Sequence, residues 1–199
     1  ITLTLIALAP TIIIMMTSFT RIIIVLHFTR SALNTQTAPP NQILIGLALI
    51  LTFFIMEPTI TRINEEAIQP FEEGTIDQSE ALEKGMAPLR EFMYPQTQVK
   101  DVELFMDIAG QEWDGTLEDI PNSVLVPSFM ISELRTAFWI GFMIYIPFIV
   151  IDMVVASTLM SMGMMMLPPT TISMPFKILL FVLADGWALI IGQLVQTFY

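Results

Sequence analysis

Residues 160–169 read MSMGMMMLPP, and this stretch separates two long apolar segments of the chain. Gly163 weakens a helix, and the Pro168–Pro169 pair cannot continue one because proline lacks the backbone N–H and clashes with the preceding turn. The stretch therefore predicts the end of a long helix and a loop that carries Met164–Met166. The flanking segments are then the two arms of a helical hairpin, from which the fold is built.

The methionines of this stretch allow three interpretations. Thioethers are soft ligands that suit Cu(I), but the cysteine or histidine that copper sites usually add is missing nearby. Methionine also fills irregular gaps in a core, and we expect Met160 and Met162 to pack in this way. On a loop, Met164–Met166 would instead form a deformable apolar surface. Several such loops around a symmetry axis would make a gasket.

Composition indicates a membrane protein. The chain is 54% hydrophobic and has a mean hydropathy of +0.71, which is high for a soluble domain. The absence of cysteine excludes disulfides, thiolate metal sites and cysteine nucleophiles. His27 is the one histidine, so a metal site with several histidines is also excluded.

The net charge of −11 comes from one central segment. Residues 62–120 contain 15 acidic and four basic residues, and the remaining four acids and four bases cancel. No basic patch is present that would bind nucleic acid or anionic lipid. Because the acidic segment is poor in lysine and arginine, it weakly favours the side of a membrane that faces away from the cytoplasm.

Hydropathy divides the chain into four apolar segments and one polar segment. The alternation that strands of a barrel require is absent, so we predict an all-α fold. A hydropathy interpretation alone gives a four-helix membrane protein. The apolar segments lie at residues 1–33, 43–56, 126–166 and 175–198.

Prolines and polar residues predict where individual helices bend or begin. Pro10 should kink the first segment, and Pro147 should bend the third after a helix from Ser128 to Tyr145. The second segment reaches the length of a span only if it includes Asn41 and the Glu57–Pro58 pair.

Two short helices are predicted inside the polar segment. They should begin near Ser79 and Thr97 and carry Phe92 and Phe105, respectively.

Charged residues interrupt every apolar segment except the second. Charges at such depth are costly in lipid, so we expect these helices to bury most of their surface against other subunits. Glu133 and Lys177 could form an ion pair between helices or between copies, or each could lie separately near a helix end.

Other charged residues suggest alternative functions. Asp152 and Asp185 could share a proton, as in an intramembrane aspartyl protease, or each could form hydrogen bonds within a packed bundle. Arg21, His27 and Arg30 could line the path of a small ion or copper transporter, or His27 could be a satisfied core residue.

Two long stretches carry a family resemblance. Residues 18–58 read SFTRIIIVLHFTRSALNTQTAPPNQILIGLALILTFFIMEP, and residues 126–169 read VPSFMISELRTAFWIGFMIYIPFIVIDMVVASTLMSMGMMMLPP. They resemble the two signatures of the FliP family, the export-gate proteins of flagellar type III secretion, whose injectisome relatives are the SctR proteins. The resemblance implies one export-gate domain over residues 1–199, with apolar helices at 1–58 and 126–199 and an acidic, mostly helical segment at 59–121.

The resemblance also implies a function and partners. The chain would be a non-enzymatic pore subunit without a cofactor, through which unfolded flagellar proteins pass. Long kinked hairpins would oligomerise into a helical, ring-shaped pore of about five copies with one FliR-like subunit. FliQ-like hairpins would pack outside, and FlhB, FlhA and the FliF ring would be further partners. The location would be the bacterial inner membrane and the flagellar basal body, with much of the chain on the periplasmic side.

Particular residues acquire expected roles from the same resemblance. A gasket around the closed pore would be formed by Met164, Met165 and Met166, and a second constriction by Phe92 and Phe105. The family carries a charge pair between subunits at the positions of Glu133 and Lys177. The full set of charges expected between subunits or helices is Arg21, Glu133, Asp152, Lys177 and Asp185.

Overall fold

The structure, a computed structural model, describes residues 11–116, 120–164 and 166–199. All regular elements among these residues are helical, which confirms the predicted all-α fold. Pro10 and Met165 lie outside the described residues. A π-helical stretch, Asn64–Ile68, joins the second helix to the third. The helices are α1 (Phe19–Ala32), α2 (Asn41–Ile63), α3 (Gln69–Glu72), α4 (Gln78–Gln96), α5 (Val99–Ala109), α6 (Asn122–Ser161), α7 (Pro169–Leu183) and α8 (Gly186–Gln196).

The described part of the first apolar segment contains a turn. Residues 11–15 are helical, and α1 begins only at Phe19. The hydroxyl of Thr17 donates to the carbonyl of Ile14 at 2.6 Å and accepts from the N–H of Phe19 at 3.3 Å. One short polar side chain therefore ends one helical stretch and opens the next.

The second segment is longer than its apolar core. α2 begins at Asn41, passes through Glu57 and Pro58, and ends at Ile63, which gives it 23 residues. Asn41 and the Glu57–Pro58 pair, which the second segment needs to reach the length of a span, are thus both part of the helix.

The third segment is one helix of 40 residues, so the expected end of a helix at Tyr145 is wrong. Pro147 removes one backbone hydrogen bond. The residues on both sides of it are nevertheless helical, and α6 continues to Ser161.

The fourth segment begins earlier than predicted and is divided. α7 starts at Pro169 and meets α8 at an angle of 65°. Asp185 lies at this break with a φ of 50°, in the left-handed region that a right-handed helix cannot contain.

The described residues contain fewer membrane-length helices than the four that hydropathy suggested. Asn41–Glu72 and Asn122–Ser161 are long and apolar enough to cross a membrane, and the bent α7–α8 pair would be a third if it forms one span. The turn before Phe19 leaves α1 with 14 residues, which is too short for a helix to cross a bilayer.

The chain divides into two compact units, and the helices α1, α2 and α6 each contribute to both. The first unit comprises the chain up to Arg21 together with Ile50–Thr136, and the second comprises Ile22–Leu49 and Ala137–Tyr199. The core of the first unit contains Met16, Met93, Val102, Met106, Ile120, Val124, Leu125 and Phe129. The core of the second contains Ala32, Leu33, Phe148 and Phe181.

The start of α8 depends on a glycine. A Cβ added at Gly186 would lie 2.4 Å from atoms of the Phe181 ring, which is buried in the core of the second unit. We expect Gly186→Ala to lower the free energy of unfolding by about 1–3 kcal/mol because the ring must move. The change is measured as a lower thermal midpoint by circular dichroism in detergent.

Gly192→Ala is the matched control in the same helix. A Cβ there meets nothing within 4 Å, and alanine favours a helix by about 1 kcal/mol over glycine. Equal destabilisation by the two substitutions would contradict the packing argument.

Candidate functional site: buried ion pairs and a methionine loop

Glu133 of α6 is fully buried and is paired with Arg21 of α1. The Nε of Arg21 donates to one carboxylate oxygen at 2.9 Å, and its Nη2 donates to the other. The same Nη2 donates to Oε1 of Gln96 at the end of α4, at 2.9 Å. Because the planar guanidinium matches both carboxylate oxygens, the charge of Glu133 is neutralised inside the protein.

A second polar cluster, which the sequence did not predict, joins α5 to α6. Asp101 is 1% exposed and accepts from two nitrogens of Arg135, each at 2.8 Å, and from the hydroxyl of Ser132 at 2.6 Å. The hydroxyl of Ser128 donates to the backbone carbonyl of Asp101 at 3.0 Å. Asp101 lies in the first turn of α5, and this position was the only signal in the sequence.

The third cluster joins α6 to α7 inside the second unit. The Nζ of Lys177 donates to one oxygen of Asp152 at 2.7 Å, and the hydroxyl of Ser173 donates to the other oxygen. Ser173 and Lys177 are buried and lie one turn apart on α7, whereas the side chain of Asp152 is 29% exposed. Both oxygens of the carboxylate therefore have a partner on α7.

The structure gives Glu133 and Lys177 different partners from the pair that the sequence suggested. Glu133 is bound by Arg21, and Lys177 is bound by Asp152. Neither Glu133 nor Lys177 lies exposed at a helix end, because both are almost completely buried.

Asp152 and Asp185 do not have the geometry of a protease dyad. Asp152 is paired with Lys177 on α7, and Asp185 lies beyond the end of α7 at Leu183, eight residues after Lys177. Two carboxyl groups that share a proton must lie within hydrogen-bonding distance. Asp185 is instead an exposed residue at the bend between α7 and α8.

His27 and Arg30 hold the loop between α1 and α2. The Nη2 of Arg30 lies 2.9 Å from Nδ1 of His27, and this nitrogen accepts because a guanidinium can only donate. The Nη1 of Arg30 also donates to Oδ1 of Asn41 at 2.6 Å and to the carbonyl of Pro39 at 3.2 Å. Among the described residues, no group of three or more histidine or acidic side chains is placed to hold a metal ion.

The methionine loop, residues 162–168, begins with a Schellman motif. The N–H of Met164 donates to the carbonyl of Leu159 at 3.0 Å, and the N–H of Gly163 donates to the carbonyl of Met160 at 3.1 Å. Gly163 has a φ of 75°, which glycine adopts without strain. Gly163 therefore ends α6, and Pro169 opens α7 as its first residue, so the prolines are not the stop that the sequence suggested.

The methionines of this region are exposed in the single chain. Met166 is 97% exposed, and Met164 is 42% exposed. Met160 and Met162 are 57% and 67% exposed, so the expectation that they pack within the chain is wrong. The Schellman turn directs the chain out of the helix, and the methionines on both sides of it remain partly or fully exposed.

Phe92 and Phe105 contact the core of the first unit. Both rings are partly buried against this core. The ring of Phe92 lies edge-on to Phe129, with 6.1 Å between centroids. They lie on α4 and α5, as predicted.

Comparison with known proteins identifies the family. A sequence model described as the FliP family matches residues 2–194. The chain belongs to the FliP family. This confirms the resemblance that the two signature stretches indicated.

Several curated members of the FliP family match over nearly the whole chain. The flagellar biosynthetic protein FliP of Bacillus subtilis (strain 168) is 60% identical over 196 residues, which are 98% of this chain and 89% of that protein. The FliP of Pectobacterium carotovorum is 55% identical over 96% of this chain and 74% of that protein. The FliP of Aquifex aeolicus is 49% identical over 98% of this chain and 83% of that protein.

The buried pair in this FliP-family chain can be tested against an exposed one. We expect Glu133→Gln to lower the free energy of unfolding by about 3–5 kcal/mol because it leaves the charge of Arg21 buried without its counter-ion. The double variant Arg21→Met with Glu133→Leu should recover most of this loss. Denaturant titration in detergent, followed by circular dichroism, measures both.

Glu91→Gln is the matched control. Glu91 pairs with Arg62 on the surface, where the two side chains are 54% and 42% exposed. The hydrogen bond from Arg62 lowers the pKa of Glu91, so the pair is ionised at neutral pH. Its loss should barely change the unfolding midpoint. A similar effect of the two substitutions would contradict the assignment of Glu133 as the buried counter-ion of Arg21.

Proposed function

We propose that this chain is a pore-forming subunit of the flagellar type III export gate, through which unfolded flagellar proteins pass. Membership of the FliP family supports the flagellar role, because its curated relatives are named flagellar biosynthetic proteins. The proposed location is the bacterial inner membrane within the flagellar basal body, with much of the chain on the periplasmic side.

One observation supports the pore function: the buried charges are paired within the chain, while many large apolar side chains are exposed. Glu133, Asp101 and Lys177 are each buried against an opposite charge. By contrast, large apolar side chains of the same helices are exposed: Trp139 of α6 is 65% exposed, and Leu183 of α7 is 77% exposed. Apolar surface of this kind is covered by lipid or by other subunits.

An assembly of several copies covers this surface most simply. We propose a ring of about five copies with one FliR-like subunit, against which FliQ-like hairpins pack. FlhB, FlhA and the FliF ring are proposed as further contacts. A contact between Glu133 and Lys177 of neighbouring copies would require both side chains to leave the partners that bury them within one chain.

The methionine loop is proposed to seal the closed pore. It joins the two arms of the α6–α7 hairpin, and it leaves Met166 almost fully exposed and Met164 partly exposed. Methionine is unbranched and polarizable, so several loops can close on one another and still deform when a polypeptide passes. Met165 completes the proposed gasket.

A second constriction is proposed at Phe92 and Phe105. Each ring is only partly buried, so part of each remains accessible to a passing chain. Their contact with the core of the first unit would hold this constriction rigid, in contrast to the methionine loop.

Complementation tests the flagellar role. We expect this chain to restore swimming to a Bacillus subtilis strain that lacks its own FliP, because the two proteins are 60% identical over nearly their whole length. Motility on soft agar and flagellin in the culture medium are the measurements. Full expression in the membrane without any export would contradict the proposal.

Substitution of the methionine loop tests the seal. Replacement of Met164–Met166 by alanine should leave the assembly intact and increase ion conductance through the closed gate, because three side chains that fill the pore become short. The measurement is membrane depolarisation in cells that express the gate without substrate.

Replacement of the same three residues by leucine is the control. Leucine keeps the apolar volume, so the conductance should rise much less than with alanine. If the alanine variant assembles and its ion conductance equals that of the unmodified protein, the methionine loop is not the gasket.

A further inference from the structure

We propose that Asp152, Ser173 and Lys177 form a clamp that sets the register of the α6–α7 hairpin, and so fixes the height of the methionine loop. The register itself is a property of the chain, and only its effect on sealing rests on the proposed function. The three residues act as positioning residues, since none of them belongs to the methionine loop.

The clamp lies at the same level on both arms of the hairpin. Asp152 lies about 14 Å along α6 from its end at Ser161, and Lys177 lies about 12 Å along α7 from its start at Pro169. The contact between them therefore closes a symmetric hairpin whose tip is the methionine loop. A slip of one helical turn would move one end of that loop by about 5.4 Å.

The remaining contact surface between these arms does not specify a register. The groove along the two helices is lined by aliphatic and aromatic side chains and by Thr158. The hydroxyl of Thr158 donates to the carbonyl of Val154 within its own helix, so it does not need a hydrogen-bond acceptor on α7. Apolar side chains tolerate sliding, whereas a buried polar contact is satisfied in one alignment only.

The geometry of the clamp requires one alignment. Its carboxylate has one oxygen 2.7 Å from the Nζ of Lys177 and the other bound to the hydroxyl of Ser173, one turn away on the same face of α7. A slip by one turn in either direction would leave Lys177 without its counter-ion while its side chain is 4% exposed. An unpaired buried ammonium is strongly unfavourable, so the alternative registers are disfavoured.

Disulfide trapping measures the register, because the chain has no cysteine of its own. Val155 and Ile172 line the same groove. Val155 is three residues nearer the loop than Asp152, and Ile172 is three residues nearer the loop than the midpoint between Ser173 and Lys177, so cysteines at these two positions report the native register. Cysteines at Val155 and Phe176, one turn further along α7, report a slipped register. The experiment uses the full chain in membranes of the complemented Bacillus strain, with mild oxidation.

The test variant is Asp152→Leu combined with Lys177→Met. This pair leaves no unpaired charge, and Ser173 keeps the carbonyl of Thr170 as an acceptor at 3.1 Å, so the hairpin still folds. We expect the ratio of the 155–172 disulfide to the 155–176 disulfide to fall by about tenfold. Asp185→Asn is the matched control, since asparagine tolerates the left-handed backbone there, and it should leave the ratio unchanged.

The outcomes separate the clamp from the seal. A lower ratio in the double variant, with or without an increase in ion conductance, supports the clamp. If the conductance does not change while the ratio falls, the link between register and sealing is contradicted and the clamp stands as a determinant of the register. The alanine variant of the methionine loop tests the seal separately. An unchanged ratio in the double variant would overturn the clamp, whatever the conductance shows.

Discussion

A charge that is removed from water must have an opposite charge at a fixed place, and the core of the first unit is organised around this constraint. Glu133 is fully buried in the first third of α6, where an unpaired carboxylate would be strongly unfavourable. Arg21 meets it with two nitrogens and uses one of them also for Gln96, so one guanidinium connects α1, α4 and α6. The same requirement at Asp101 connects α5 to α6. Apolar packing alone would hold these helices together without fixing their alignment.

The second unit uses backbone conformation as well as charge. Gly163 ends α6 in a left-handed turn, and Asp185 separates α7 from α8 in another. Between these two positions, Lys177 and Ser173 bind Asp152 across the hairpin. The turns decide where each helix ends, and the polar contact decides how the two arms are aligned. The shape of the hairpin therefore depends on a few positions within a surface that is otherwise mostly apolar.

The exposed apolar side chains connect this architecture to the proposed function. A chain with all its apolar surface buried would be stable alone and would have no reason to assemble. Here Trp139, Leu183 and Met166 remain exposed while the buried charges are paired. An export gate needs subunits of this kind, because the surfaces between copies must exclude water while the pore opens and closes.

The all-α class, the FliP family and the hairpin around residues 160–169 can be recognised from the amino-acid sequence. Helix periodicity, hydropathy and long collinear motifs are properties of neighbouring residues, so they can be recognised without coordinates. The sequence also indicated that the charges inside apolar segments are buried in protein. Tertiary structure alone decided which charges meet: Glu133 with Arg21, and Lys177 with Asp152. It also decided that α6 continues through Pro147 and that the fourth segment bends at Asp185, because the balance of contacts around a residue determines whether a local helix breaker breaks the helix.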